Sequence, residues 1–118
     1  MLNNSKTDMS KLEFVIGNEK NLWQIQNVKC RPIFDEVIID FFDMLSKKLM
    51  HIKDVKNYHD ILSYAFWIRR ASLEQEKIKH MSDTRMGRGV TFHIAPSNVP
   101  INFAVSMTSA LLAGNACI

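Results

Sequence analysis

Apolar and polar positions divide the chain into two stretches with different rules. All 15 Lys and Arg and all 12 Asp and Glu lie before Gly89, so the last thirty residues carry no charge and read as the inside of something. Within them, Val90, Phe92 and Ile94 alternate with Thr91, His93 and Ala95 between Gly89 and Pro96, a pattern that predicts a short, mostly buried strand. Pro96 ends it, because proline cannot donate to a sheet ladder. From Ile101 to Ala113 the only polar residues are Asn102, Ser106, Thr108 and Ser109, which predicts a helix covered on most sides and too short to span a bilayer. Gly114 stands where a helix takes a left-handed terminating residue, with Asn115 as its turn neighbour. Ala116, Cys117 and Ile118 then begin a second, parallel strand, completing a right-handed crossover unit.

Upstream the period is helical. Phe34, Val37, Ile38, Phe41, Leu45 and Leu49 recur at three and four residues and predict a first amphipathic helix from Pro32. Asp35 and Glu36 sit at its start and Lys47, Lys48 and Lys53 at its end, as the helix dipole favours. A polar break from Asp54 to Asn57 precedes a second helix, about Tyr58 to Lys79, with Ile61, Tyr64, Ala65, Ile68 and Ser72 inward and Phe66 and Trp67 flanking. Leu12 to Ile16 reads as a short strand turned by Gly17-Asn18, after a mobile terminus from Met1 to Ser10. The fold class is α/β: an N-terminal tail and strand (1–30), two long helices (31–80), a flexible linker (81–88) and the first βαβ unit of a Rossmann-type domain (89–118), together one incomplete domain.

Composition narrows the function classes. An apolar content of 47% with two tryptophans marks a globular chain, and a net charge of +3 without a dense basic block gives no case for nucleic acid. Cys30 and Cys117 come without a pairing motif, and the polar start Met1-Leu2-Asn3-Asn4 is no signal peptide, so a reducing, cytoplasmic setting is expected. Lys29 and Arg31 flank Cys30, but a lone cysteine before a helix reads as unreactive, and Cys117 reads as core. His51, His59, His80 and His93 lack metal spacing, and His93 in the strand reads as a hydrogen-bonded core residue. Gly87 and Gly89 lack the third glycine and the preceding strand of a dinucleotide fingerprint.

Candidate chemistry falls on Pro96-Ser97-Asn98-Val99-Pro100, because ligands of open α/β sheets bind at the carboxyl ends of strands. The two prolines hold the loop in few conformations. Asn98 is then either the cap of the following helix or an amide donor to a developing oxyanion.

The segment Ile94-Ala95-Pro96-Ser97-Asn98-Val99-Pro100, followed by Ser109-Ala110-Leu111-Leu112-Ala113-Gly114-Asn115-Ala116, closely resembles the acyl-CoA reductase family of the LuxC type. That family includes the reductase subunit of the bioluminescence fatty acid reductase complex. It is similar to the wider aldehyde dehydrogenase superfamily, whose loop reads Pro-Trp-Asn-Phe-Pro; Ser97 in place of tryptophan favours the acyl-CoA reductase branch. Pro32, Phe34 through Phe41, Leu45-Ser46 and Tyr64 through Arg69 extend the resemblance upstream to about Phe14.

The resemblance implies an aldehyde-dehydrogenase-like fold, NADPH as cofactor, and a fatty acyl-CoA or acyl-protein thioester as substrate. It also implies an acyl-transferring partner subunit and an oligomeric full-length enzyme. Asn98 matches the oxyanion-stabilising asparagine, and the backbone of Ala95, Pro96 and Ser97 matches the segment beside the nicotinamide. The nucleophilic cysteine would lie outside these 118 residues, making the chain an N-terminal portion, inactive alone. Trp67 and Arg69-Arg70 are weaker candidates for contact with an acyl-CoA and its phosphates. With so few strands, the terminal strand and helix are expected to stay partly exposed, favouring self-association. The alternative function is a non-catalytic α/β module that docks a partner through its uncovered sheet edge.

Overall fold

A computed structural model describes residues 10–81 and 84–118, and its centre is α2, Glu36–Met50. Asp35 starts that helix, its Oδ1 accepting from the Val37 N–H at 2.8 Å, while Lys47 and Lys48 lie in the last turn. The helix does not begin at Pro32 as expected. Pro32 forms an isolated antiparallel bridge with Met86, and Phe34 takes a φ of 51°, which no helix accommodates. The buried face is also rotated from the expected stripe: Ile39, Phe42 and Ser46 are buried, whereas Val37 and Phe41 are exposed. Apolar residues occupy more than half of the circumference of α2, so spacing alone leaves the inward face open; the helices packed on it decide.

Those helices are α3, His59–Trp67, and α4, Arg70–His80, where the sequence predicts one continuous helix. Neither glycine nor proline marks the break. It falls at Ile68, which is fully buried, and Arg69, whose backbone is extended at φ −64° and ψ 147°. Asp43 of α2 holds the new start, its Oδ1 accepting the Arg70 N–H at 3.0 Å. The Arg70 guanidinium pairs with Glu36, Asp40 and Glu74, and Lys77 pairs with Glu36. Ser46 Oγ donates to the Ala65 carbonyl at 2.6 Å, so a buried hydroxyl joins α2 to α3.

Ile39, Phe42, Tyr64, Ile68, Leu73, Ala104 and Leu112 form the core. Phe42 alone, fully buried, contributes about 2–3 kcal/mol of transfer free energy. Two of these residues come from α5, Asn102–Leu112, whose Thr108 links the layers through polar atoms. Thr108 donates to the Ala104 carbonyl at 2.7 Å and accepts from the Tyr64 hydroxyl at 2.8 Å. Burial pushes the Tyr64 phenol above its ordinary range, so the hydroxyl stays protonated and donating.

The predicted crossover is present. β1, Val90–Thr91, pairs in parallel with β2, Ala116–Cys117, in the register Val90 to Ala116 and Thr91 to Cys117, and α5 connects them. The first strand is shorter than expected: pairing stops at Thr91, and Phe92 and Ile94 beyond it are 72% and 87% exposed, because no described element covers them. The C-terminus of α5 ends as the sequence predicts. Gly114, at φ 86°, donates to the Leu111 carbonyl, and Asn115 donates to that of Ala110.

The N-terminal segment corrects one expectation and adds a helix. Leu12 to Ile16 forms no strand, and Val15 and Ile16 are almost fully exposed with no neighbour to pair with. Gly17 does turn the chain, and Asn18 caps α1, Glu19–Gln24. Part of the expected linker is tightly held: Gly87 is buried and donates to the Arg31 carbonyl at 3.1 Å, while the Arg31 N–H donates to that of Gly114 at 3.0 Å. The proposed mobile terminus lies almost wholly outside the described residues.

Candidate active-site loop

The chain leaves the carboxyl end of β1 at Phe92 and enters α5 at Asn102, and the intervening loop carries the candidate oxyanion and nicotinamide residues. Ala95, Pro96, Ser97 and Asn98 are all exposed, with the turn at Ser97 and Asn98 between the two prolines. The structure thus brings the four together on one solvent-facing bend.

Asn98 does not cap α5. The position before that helix is Ile101, without a side-chain cap, and the first turn is closed instead by the Asn102 N–H donating to the Val99 carbonyl at 3.0 Å. Among the described residues the Asn98 side chain makes no hydrogen bond, so both of its amide protons remain available.

His93 flanks the loop and is hydrogen-bonded through both ring nitrogens, as expected of a structural histidine: Nδ1 to Ser106 Oγ at 2.7 Å and Nε2 to Thr91 Oγ1 at 3.0 Å. Ser106 itself gave no signal in the sequence, because its partner is across a loop. Cys117 is half-buried in β2, with Thr91 Oγ1 3.5 Å from its sulfur, and Cys30 is half-buried before α2. Neither cysteine is in the loop.

The arginines considered for phosphate contact are committed elsewhere. Arg70 is held by three carboxylates, and Arg69 lies over the Phe66 ring, 4.6 Å from its centroid, with its Nε donating to the Phe66 carbonyl. Hydrogen bonds from Lys77 and Arg70 hold the Glu36 carboxyl below its ordinary range. Trp67 instead lines a cavity of about 390 Å³ with Phe34, Leu73, His80, Arg85 and Leu112. That cavity meets α5 at its C-terminal end, whereas the loop precedes its N-terminus.

For a dinucleotide, the fit is partial. A proline-bounded loop without glycine can flank a nicotinamide but cannot cradle a pyrophosphate as a glycine-rich turn does. Among the described residues there is no cluster of three His, Cys, Asp or Glu able to hold a metal, and no helix is long and apolar enough to cross a membrane.

A parallel β-α-β connection with a free asparagine at the carboxyl end of its first strand suits a domain that binds substrate at that edge. The family model described as acyl-CoA reductase (LuxC) matches residues 17–118, and the chain belongs to that family. An acyl-CoA is accordingly the substrate class of the family. No curated protein and no solved structure matches the chain.

Proposed function

We propose that this chain supplies one wall of the catalytic centre of an NADPH-dependent fatty acyl-CoA reductase with an aldehyde-dehydrogenase-like domain. The observation that carries the reading is Asn98: exposed, free of any helix-capping bond, and held between two prolines at the carboxyl end of β1. In this reading an acyl thioester is transferred to a cysteine outside these 118 residues and then reduced to the aldehyde. Both steps pass through a tetrahedral alkoxide, and in this reading the Asn98 Nδ2 protons donate to its negative charge. Ala95, Pro96 and Ser97 flank the nicotinamide, which when bound supplies the hydride. A fatty acyl chain, an acyl-transferring partner subunit, an oligomeric enzyme and a cytoplasmic setting belong to the same proposal.

Asn98→Ala in the full-length reductase tests it. Turnover, followed as thioester-dependent nucleotide oxidation, is expected to fall about 10²- to 10³-fold, and undiminished turnover would reject the role. The exposed Phe92 and Ile94 favour a second reading, in which this edge docks another protein without catalysis. Stoichiometric capture of a partner subunit with no nucleotide binding would support that alternative.

A further inference from the structure

Between the His93 N–H, which donates to the Ile118 carbonyl, and the Asn102 N–H, which donates to that of Val99, no described hydrogen bond ties residues 94–98 to the rest of the protein. The prolines limit the shape of this bend but do not fix where it sits. One described hydrogen bond spans it: His93 Nδ1 to Ser106 Oγ, 2.7 Å, joining the extended segment just after β1 to the second turn of α5. Resting on the reading of Asn98 above, we propose that His93 and Ser106 form a strut that positions the Asn98 amide, making His93 a positioning residue.

The proton arrangement follows from the neighbours. The Thr91 hydroxyl has one proton and directs it at the Ala116 carbonyl, 2.9 Å away, in preference to the longer contact with the Cys117 sulfur at 3.5 Å. Thr91 Oγ1 therefore accepts from His93, which places the ring proton on Nε2. Nδ1 is left as an acceptor, and Ser106 donates to it. The ring is thus fixed to the sheet on one side and grips α5 on the other, closing a loop with Asn98 inside. Misplacing a reacting group by about 1 Å can cost a hundredfold in rate, so a strut of this kind acts on turnover.

The test is a double-mutant cycle in the full-length reductase, measuring kcat and the KM for nucleotide and thioester. His93→Ala and Ser106→Ala are each expected to lower kcat about tenfold with the nucleotide KM unchanged. His93→Asn, which keeps an acceptor near the Nδ1 position, should recover most of the loss. In an Asn98→Ala background, His93→Ala should cost nothing further, because its effect runs through that amide. A full multiplicative loss in that background, or wild-type kcat in both H93A and S106A while N98A is impaired, overturns the strut and leaves Asn98 standing. An N98A enzyme with undiminished turnover removes the Asn98 role and the strut with it. Should H93A fail to fold, S106A carries the same comparison through a surface hydroxyl.

Discussion

The helical layer and the β1-α5-β2 unit use opposite means to handle apolar residues. In α2 to α4, charged residues surround a buried set of Ile39, Phe42, Ile68 and Leu73, and ion pairs of Arg70 and Lys77 cross between helices. The last thirty residues carry no charge, yet Val90, Phe92, Ile94, Phe103 and Val105 are exposed. Absence of charge therefore marks a segment that is built to be covered, while burial within this chain depends on whether a described element lies over it. Both regions leave apolar residues exposed, Val37, Phe41 and Met44 in the first and Phe92 and Ile94 in the second, and they share one core through Ala104 and Leu112. Only the first sets charges among its apolar residues.

The largest effect is expected at the seam between the two regions. A Cβ at Gly114 would lie 2.0 Å from the Arg31 carbonyl oxygen, at a φ of 86° that side chains disfavour, and one at Gly87 would lie 1.9 Å from the Gly114 oxygen. Gly114→Ala is expected to cost about 4 kcal/mol or more, read from chemical denaturation. A cost under about 1 kcal/mol would show that the two regions are not locked together there. Next, Phe42→Ala should lose about 3–5 kcal/mol, while Phe92→Ala in this chain should stay within about 0.5 kcal/mol and reduce self-association by light scattering. A Phe92 loss comparable to that of Phe42 would mean that the segment after β1 is already covered.

The smallest effect concerns the ion pairs. Glu36 titrates low because Lys77 and then Arg70 hydrogen-bond its carboxylate, so its contribution is present above the ordinary glutamate range and lost as pH falls through the lowered folded value. Its exposure and solvent screening keep this small. The melting temperature of the wild-type chain should fall slightly more than that of Glu36→Gln between about pH 6 and pH 3; parallel curves would assign the pairs no role.

Much of the C-terminal unit was legible because each signal there is local. Gly114 ends α5 through its own backbone, and the parallel pairing of Val90 with Ala116 follows from strand, helix and strand in order. The resemblance points to Asn98, and the structure removes the capping alternative. What the sequence hid depends on distant residues. The break between α3 and α4 is set by Asp43 of another helix, the inward face of α2 by what packs on it, and the grip of His93 on Ser106 by a loop between them. Leu12 to Ile16 had a strand's composition, but pairing requires a neighbour.

In folding terms, the crossing of Arg31, Gly87 and Gly114 is a non-local closure. Most of the described chain lies between its first and last members, so their entropy is lost before the backbone hydrogen bonds at 3.0 and 3.1 Å can form. The helices need no such closure and can form from local contacts. Two residues without side chains at the crossing leave the late approach sterically open, and a methyl group at either would obstruct it even when every helix was already in place.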